Sequence, residues 1–140
     1  MSASPLSILQ ISINGLRPNL LNLVDYVRRH NISVAAIQET LCTAGSMPTT
    51  PAGFTIIRCD RPGNRGKGGG LAFVIHDSVC FRAADLRPLP VRYIHLEQPG
   101  VTLCSGESET TVVNIYSPPV SSYSMKHQLS IQQTSIFAFY

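Results

Sequence analysis

The sequence predicts an α/β fold, a mixed sheet with helices on one face. The first observation behind this is a β-rich run, a helix-patterned run and a second β-rich run joined by short breaks between Leu6 and Gln38. The second is a series of short apolar runs after Phe54, bounded by Gly, Pro and Asp. The third is composition: 140 residues, 44% hydrophobic and only 14% charged. That length makes about one small domain, burying roughly two-thirds of its unfolded surface. So few charges imply reliance on a sizeable core or on a partner surface.

The elements follow in order. In Leu6 to Ile13, "LSILQISI", Leu9, Ile11 and Ile13 alternate, which predicts a strand. Asn14-Gly15 breaks it, and Pro18 suits the first turn of a helix. From Asn19 to His30, the residues Leu20, Leu23, Val24 and Val27 share one helical face. Arg28, Arg29 and His30 suit the carboxyl end of its dipole, with Asn31 as a cap. A second strand, Ile32 to Gln38, follows at once, so the three elements predict a right-handed parallel unit. Thr43 to Gly53 has loop composition. Strands are expected at Phe54 to Cys59, Gly70 to His76, Val79 to Arg82, Arg92 to Glu97, Val101 to Cys104 and Thr110 to Tyr116. The segment after Ser124 has no clear period.

Several classes are excluded or weakened. The amino terminus lacks the basic region of a signal peptide, and no run approaches the ~18 apolar residues of a membrane helix. Cys42, Cys59, Cys80 and Cys104 form no C-x-x-C pair and no zinc-spaced cluster; they read as reduced core thiols, which implies an intracellular protein. Lys+Arg 11 against Asp+Glu 8 gives a net charge of +3, a mild lean towards anionic partners. The loop "GNRGKGGG" matches neither nucleotide-binding glycine motif and precedes a strand, where those motifs open a helix. It reads as a wide hairpin turn. Arg58, Arg61, Arg65 and Lys67 make that hairpin basic, either as solvated charges or as contacts to a phosphate backbone.

One residue stands out against this background. Glu39 ends the apolar run Ile32 to Ile37 in "IQET". A buried carboxylate is costly unless paired or coordinated, but at the carboxyl end of a parallel strand it can face a crevice. The alternative is a solvated glutamate opening a loop.

Three segments, "ISINGLRPNLLNLVDYVRRHNISVAAIQET", "RGKGGGLAFVIHDSV" and "TTVVNIYSPP", resemble in order and interval the endonuclease/exonuclease/phosphatase superfamily. The likeness is to the apurinic-type endonuclease domain of non-LTR retrotransposons. It spans Leu6 to about Ser122. The resemblance implies a four-layer α/β sandwich with two facing sheets and a Mg²⁺-dependent phosphodiesterase site at one rim, acting on DNA. It implies that Glu39 is a magnesium ligand, consistent with the preference of Mg²⁺ for a carboxylate plus waters and phosphate oxygens. Asn14 matches a second position lining the metal site, although Asn-Gly is also an ordinary turn. Tyr116 matches the tyrosine set beside the scissile phosphate, and is otherwise an amphipathic residue at a strand end.

The departures shape the functional expectation. Where the family pattern has an asparagine two residues before Asn14, this chain has Ser12, whose short hydroxyl is expected to fall short of that role. No G-D-F-N and no S-D-H motif occurs in the sequence, so the family's general base and its aspartate–histidine pair are missing. Residues 1–123 are therefore expected to form the amino-terminal half of the sandwich, and residues 124–140 a divergent tail. The expected function is a partial, DNA-directed nuclease domain, inactive alone. The rivals are a non-catalytic or weakly nucleic-acid-binding chain with the same half-fold, and a phosphodiesterase for lipid or small-molecule phosphate esters.

Overall fold

The structure, a computed structural model, describes residues 5–43, 45, 49–60, 69–84, 86, 99–116 and 135–139, the last for the backbone alone. Eight strands and one helix are present among them: β1 (Ile8–Ser12), α1 (Leu16–Arg29), β2 (Val34–Gln38), β3 (Phe54–Cys59), β4 (Leu71–His76), β5 (Cys80–Ala83), β6 (Gly100–Ser105), β7 (Ser108–Ile115) and β8 (Ser135–Phe139). They make two four-stranded sheets, ordered β1-β2-β4-β3 and β5-β6-β7-β8. The first is mixed, because β1 and β2 are parallel while β4 runs antiparallel to both β2 and β3. The second is antiparallel throughout.

The side-chain period of two sorts β2 and β4 into two faces. Ala35, Ile37, Ala72 and Val74 meet Leu16, Leu20, Leu23, Val24 and Val27 of α1 in one core. Val34, Ala36, Phe73 and Ile75 meet Val101, Leu103 and Val112 of the second sheet in another. Helix, mixed sheet and antiparallel sheet thus form three successive layers. An α/β fold is what the periodicity predicts; one helix is present among the described residues.

Differences of boundary have local causes. The helix begins at Leu16, earlier than Asn19, because Gly15 turns the chain at φ 112° and Leu16 is fully buried. The Asn19 amide then donates to the carbonyls of Gly15 (2.8 Å) and Ile13 (3.3 Å), tying the helix start back to β1. Pro18 falls in the first turn, where no amide donor is required. At the other end Asn31 is left-handed (φ 50°), and the amide of Ile32 donates to the carbonyl of Val27 (3.0 Å). That bond closes a Schellman-type cap whose apolar partners, Ile32 and Val27, both join the helix-side core. Ile32 therefore caps α1, and β2 starts at Val34.

β3 and β4 form the antiparallel pair expected around the glycine-rich turn. The turn itself, with Arg61, Arg65 and Lys67, lies outside the described residues, as does the strand expected at Arg92 to Glu97. β8, in the stretch read as a tail, pairs antiparallel with β7 from Thr111↔Phe139 to Ile115↔Ser135. Of the four cysteines, read as core residues, Cys42 is the buried one, and Cys80 is exposed on a sheet-edge strand. No described helix is long and apolar enough to cross a membrane.

Candidate functional site at the rim between the sheets

β1 and β2 run parallel, so both end at the same rim of the first sheet. Backbone hydrogen bonds join the loops there. The amides of Gly15 and Leu16 donate to the carbonyls of Glu39 (2.9 Å) and Thr40 (2.8 Å). Those of Thr40 and Leu41 donate to Gly70 (3.1 Å) and Gly69 (3.0 Å), the approach to β4. The joints need backbone that L-residues seldom adopt: Asn14, Gly15, Glu39, Leu41, Gly69 and Gly70 all have positive φ.

The left-handed turn at Glu39 (φ 56°) has a direct effect on the site. In continued strand geometry, Gln38 and Glu39 would face opposite sides of the sheet. Here both reach the second sheet. Gln38 donates its amide to the Asn114 Oδ1 of β7, while Glu39 accepts the phenol proton of Tyr116 (2.8 Å). Asn114 lies in β7 and Tyr116 directly follows the strand, two residues on, which makes the two contacts neighbouring ties between the layers. From β1, Ser12 closes the group, its hydroxyl donating to the other carboxylate oxygen of Glu39 at 2.7 Å. The short serine side chain does reach the carboxylate.

Beneath this lies an amide cluster that supports it. The Asn114 Nδ2 donates to the carbonyls of Ile37 (3.1 Å) and Ala72 (3.3 Å), one on β2 and one on β4. Those two carbonyls fix which end of the Asn114 amide is the donor, and so leave its oxygen for Gln38. Gln38 and Asn114 are both fully buried. The remaining amide oxygen of Gln38 has no hydrogen-bond partner among the described residues. Sequence reasoning passed over this pair, although its signal was present: each amide interrupts an apolar strand, in "VAAIQ" and "VVNI".

The structure thus brings Glu39, Tyr116 and Ser12 into direct contact, with Tyr116 largely buried (8% exposed) and Ser12 exposed. Asn14 stands on the same rim, one residue before the Gly15 amide that bonds the Glu39 carbonyl, and it is exposed. Arg58 of the basic hairpin is paired with Asp60 at 3.1 Å.

Among the described residues, the carboxylate of Glu39 and the hydroxyls of Ser12 and Tyr116 that bond it are hard oxygens. Such a set fits Mg²⁺ in kind. No group of three or more His, Cys, Asp or Glu side chains able to hold a metal occurs among the described residues.

Compared with known proteins, the chain matches no protein-family model and no curated protein.

Proposed function

We propose that the chain is a partial phosphodiesterase domain of the DNA-endonuclease type, with a rim site for Mg²⁺ and no nuclease activity of its own. The observation that supports it best is the carboxylate of Glu39, set at the shared end of β1 and β2 and bound by hydroxyls from both sheets. In this reading Glu39 holds the ion, Asn14 lines its exposed side, and Tyr116 presents its phenol to the phosphate. The ion, when bound, neutralises charge on the phosphoryl oxygens. Ser12 and Tyr116 orient the carboxylate before any ligand arrives, which limits the reorganisation needed on binding. Hydrolysis also requires a group to take the proton of the attacking water, a step worth about 10²–10⁴-fold. The resemblance places that group in the G-D-F-N motif, which this sequence lacks.

A second reading draws on the same contacts. Both oxygens of Glu39 already accept hydroxyl protons, so the residue can act as a clasp between the sheets without any ion. The chain would then be a non-catalytic fragment, binding nucleic acid weakly if at all.

Titration with Mg²⁺, followed by amide NMR, separates the two. The site reading expects saturable shifts at Ser12, Asn14, Glu39 and Tyr116 that vanish in Glu39→Gln. The absence of any Mg²⁺ response at these residues removes the ion site and leaves the clasp. A parallel assay on supercoiled plasmid is expected to show no nicking. Mg²⁺-dependent nicking lost in Glu39→Ala would overturn the proposed inactivity.

A further inference from the structure

β5 and β6 are antiparallel, and their register sets Cys80 directly opposite Cys104. Opposed residues in such a pair have Cα atoms about 4.5–5.5 Å apart, within the ~4.4–6.8 Å that a disulfide spans. Their Cβ atoms, about 4.5–5.5 Å apart, lie at or beyond the upper end of the ~3.5–4.5 Å that a relaxed bridge prefers. A bond across this pair is therefore reachable with a small adjustment, and strained once made. Both thiols are free, Cys80 exposed and Cys104 half-buried.

The surroundings give the two sulfurs different parts. Arg82, on the same face as Cys80, directs its guanidinium to the Cys104 sulfur (3.8 Å) while holding Glu109 at 2.8 and 3.0 Å. Partial burial pushes the Cys104 thiol up, and the Cys80 sulfur beside it pushes it further. Cys80 meets solvent directly and Cys104 is half-buried, so Cys80 is the sulfur a small disulfide reaches first. Cys59 stands opposite Leu71 in register, and Cys42 lies in the loop after β2.

We propose that Cys80 and Cys104 form a site of reversible thiol oxidation, closed to a cross-strand disulfide by a low-molecular-weight disulfide such as oxidised glutathione. The Cys80 thiolate attacks one sulfur of the small disulfide, making a mixed disulfide and expelling one thiolate. Cys104 then gives up its proton beside the Arg82 guanidinium and attacks the Cys80 sulfur, expelling the second thiolate. The protons from the two cysteines end on the two released thiols, so the protein loses two electrons and two protons and the small disulfide gains them. Strained and exposed bridges have the more oxidising potentials and are the labile ones, which makes this bond readily reduced. Its structural effect is to fasten β5, a four-residue strand at the edge of its sheet, to β6.

The test is incubation of the native chain with oxidised glutathione, acid quenching, alkylation and mass analysis. The expected product has lost two hydrogens, keeps two of its four thiols alkylatable, and yields a Cys80–Cys104 linked peptide that dithiothreitol removes. Cys104→Ser should stop at a stable glutathione adduct on Cys80, and Cys80→Ser should form no internal bridge. Four unchanged thiols, a lasting glutathione adduct on the wild-type chain, or a bridge through Cys42 or Cys59 would each overturn the proposal.

Discussion

Glu39 holds a left-handed backbone that a residue with a Cβ adopts at a cost of roughly 1–2 kcal/mol. That strain is offset by what the geometry allows, two hydroxyl bonds to one carboxylate and a second cross-sheet tie beside Gln38. The two contributions can be separated by a pair of substitutions. Glu39→Ala keeps the backbone strain and loses both hydroxyl partners, and is expected to cost about 2 kcal/mol. Glu39→Gly loses the same partners but relieves the strain, and should recover about 1 kcal/mol of that loss. Urea denaturation of the three proteins measures both steps; equal stability of the Ala and Gly variants would show that the backbone at this position is not strained. The candidate residue was legible in the sequence because a carboxylate closing an apolar run is conspicuous. Its partner from β1, Ser12, stood out only through the resemblance, as a departure from an asparagine. Ser12 reaches Glu39 because the parallel register sets Ser12 beside Gln38, a pairing that no local pattern in "ILQIS" discloses.

At the scale of elements, α1, β2, β3 and β4 follow from periodicity and turn chemistry. Apolar spacing fixes the buried face of α1, and Gly and Pro bound the strands. Where the reading shifted, a hydrogen bond outside the regular elements decided the outcome. Gly15 and Leu16 are placed by hydrogen bonds to Glu39 and Thr40, and Ile32 is drawn into the helix cap by Val27. β8 had an apolar composition but no clear period, and "SIFAF" becomes a strand through the edge that β7 offers. A prediction belongs to the β5–β7 face, where Arg82 holds the Glu109 carboxyl below its ordinary range, through its hydrogen bond and then its charge. Because the folded value is the lower one, the contribution is present above the unfolded value near ~4.3 and fades as pH falls through the folded value. The stability difference between wild type and Glu109→Gln should therefore be small near neutral pH, as for exposed pairs, and vanish in acid. A difference that stays constant across the acid range would deny the pair any part in stability.

Across the whole molecule, burial is concentrated where the three layers meet. Every residue of β2 is buried, as are Leu71–Ile75 of β4, and each of these strands has a neighbour on both sides. β5, by contrast, is short, largely exposed and at an edge. Amide hydrogen exchange should therefore be slowest in 34–38 and 71–75 and much faster in 80–83. Protection of β5 equal to that of β4 would mean that the layers open only as one unit.

The contacts that define the rim also have an order in time. Ser12 and Glu39 are separated by 27 residues, but Glu39 and Tyr116 by 77, and Gln38 and Asn114 by 76. Closing the longer loops costs more chain entropy before any contact repays it. The β1–α1–β2 unit should thus be in place at the folding transition state, with the clasp to β7 forming on the downhill side. Tyr116→Phe deletes one partner of that clasp with little change of shape. Its chevron should show unfolding about tenfold faster and a refolding rate nearly unchanged, the mark of a contact made late. If refolding slows instead, the two sheets meet early, and the rim takes part in nucleating the fold it completes.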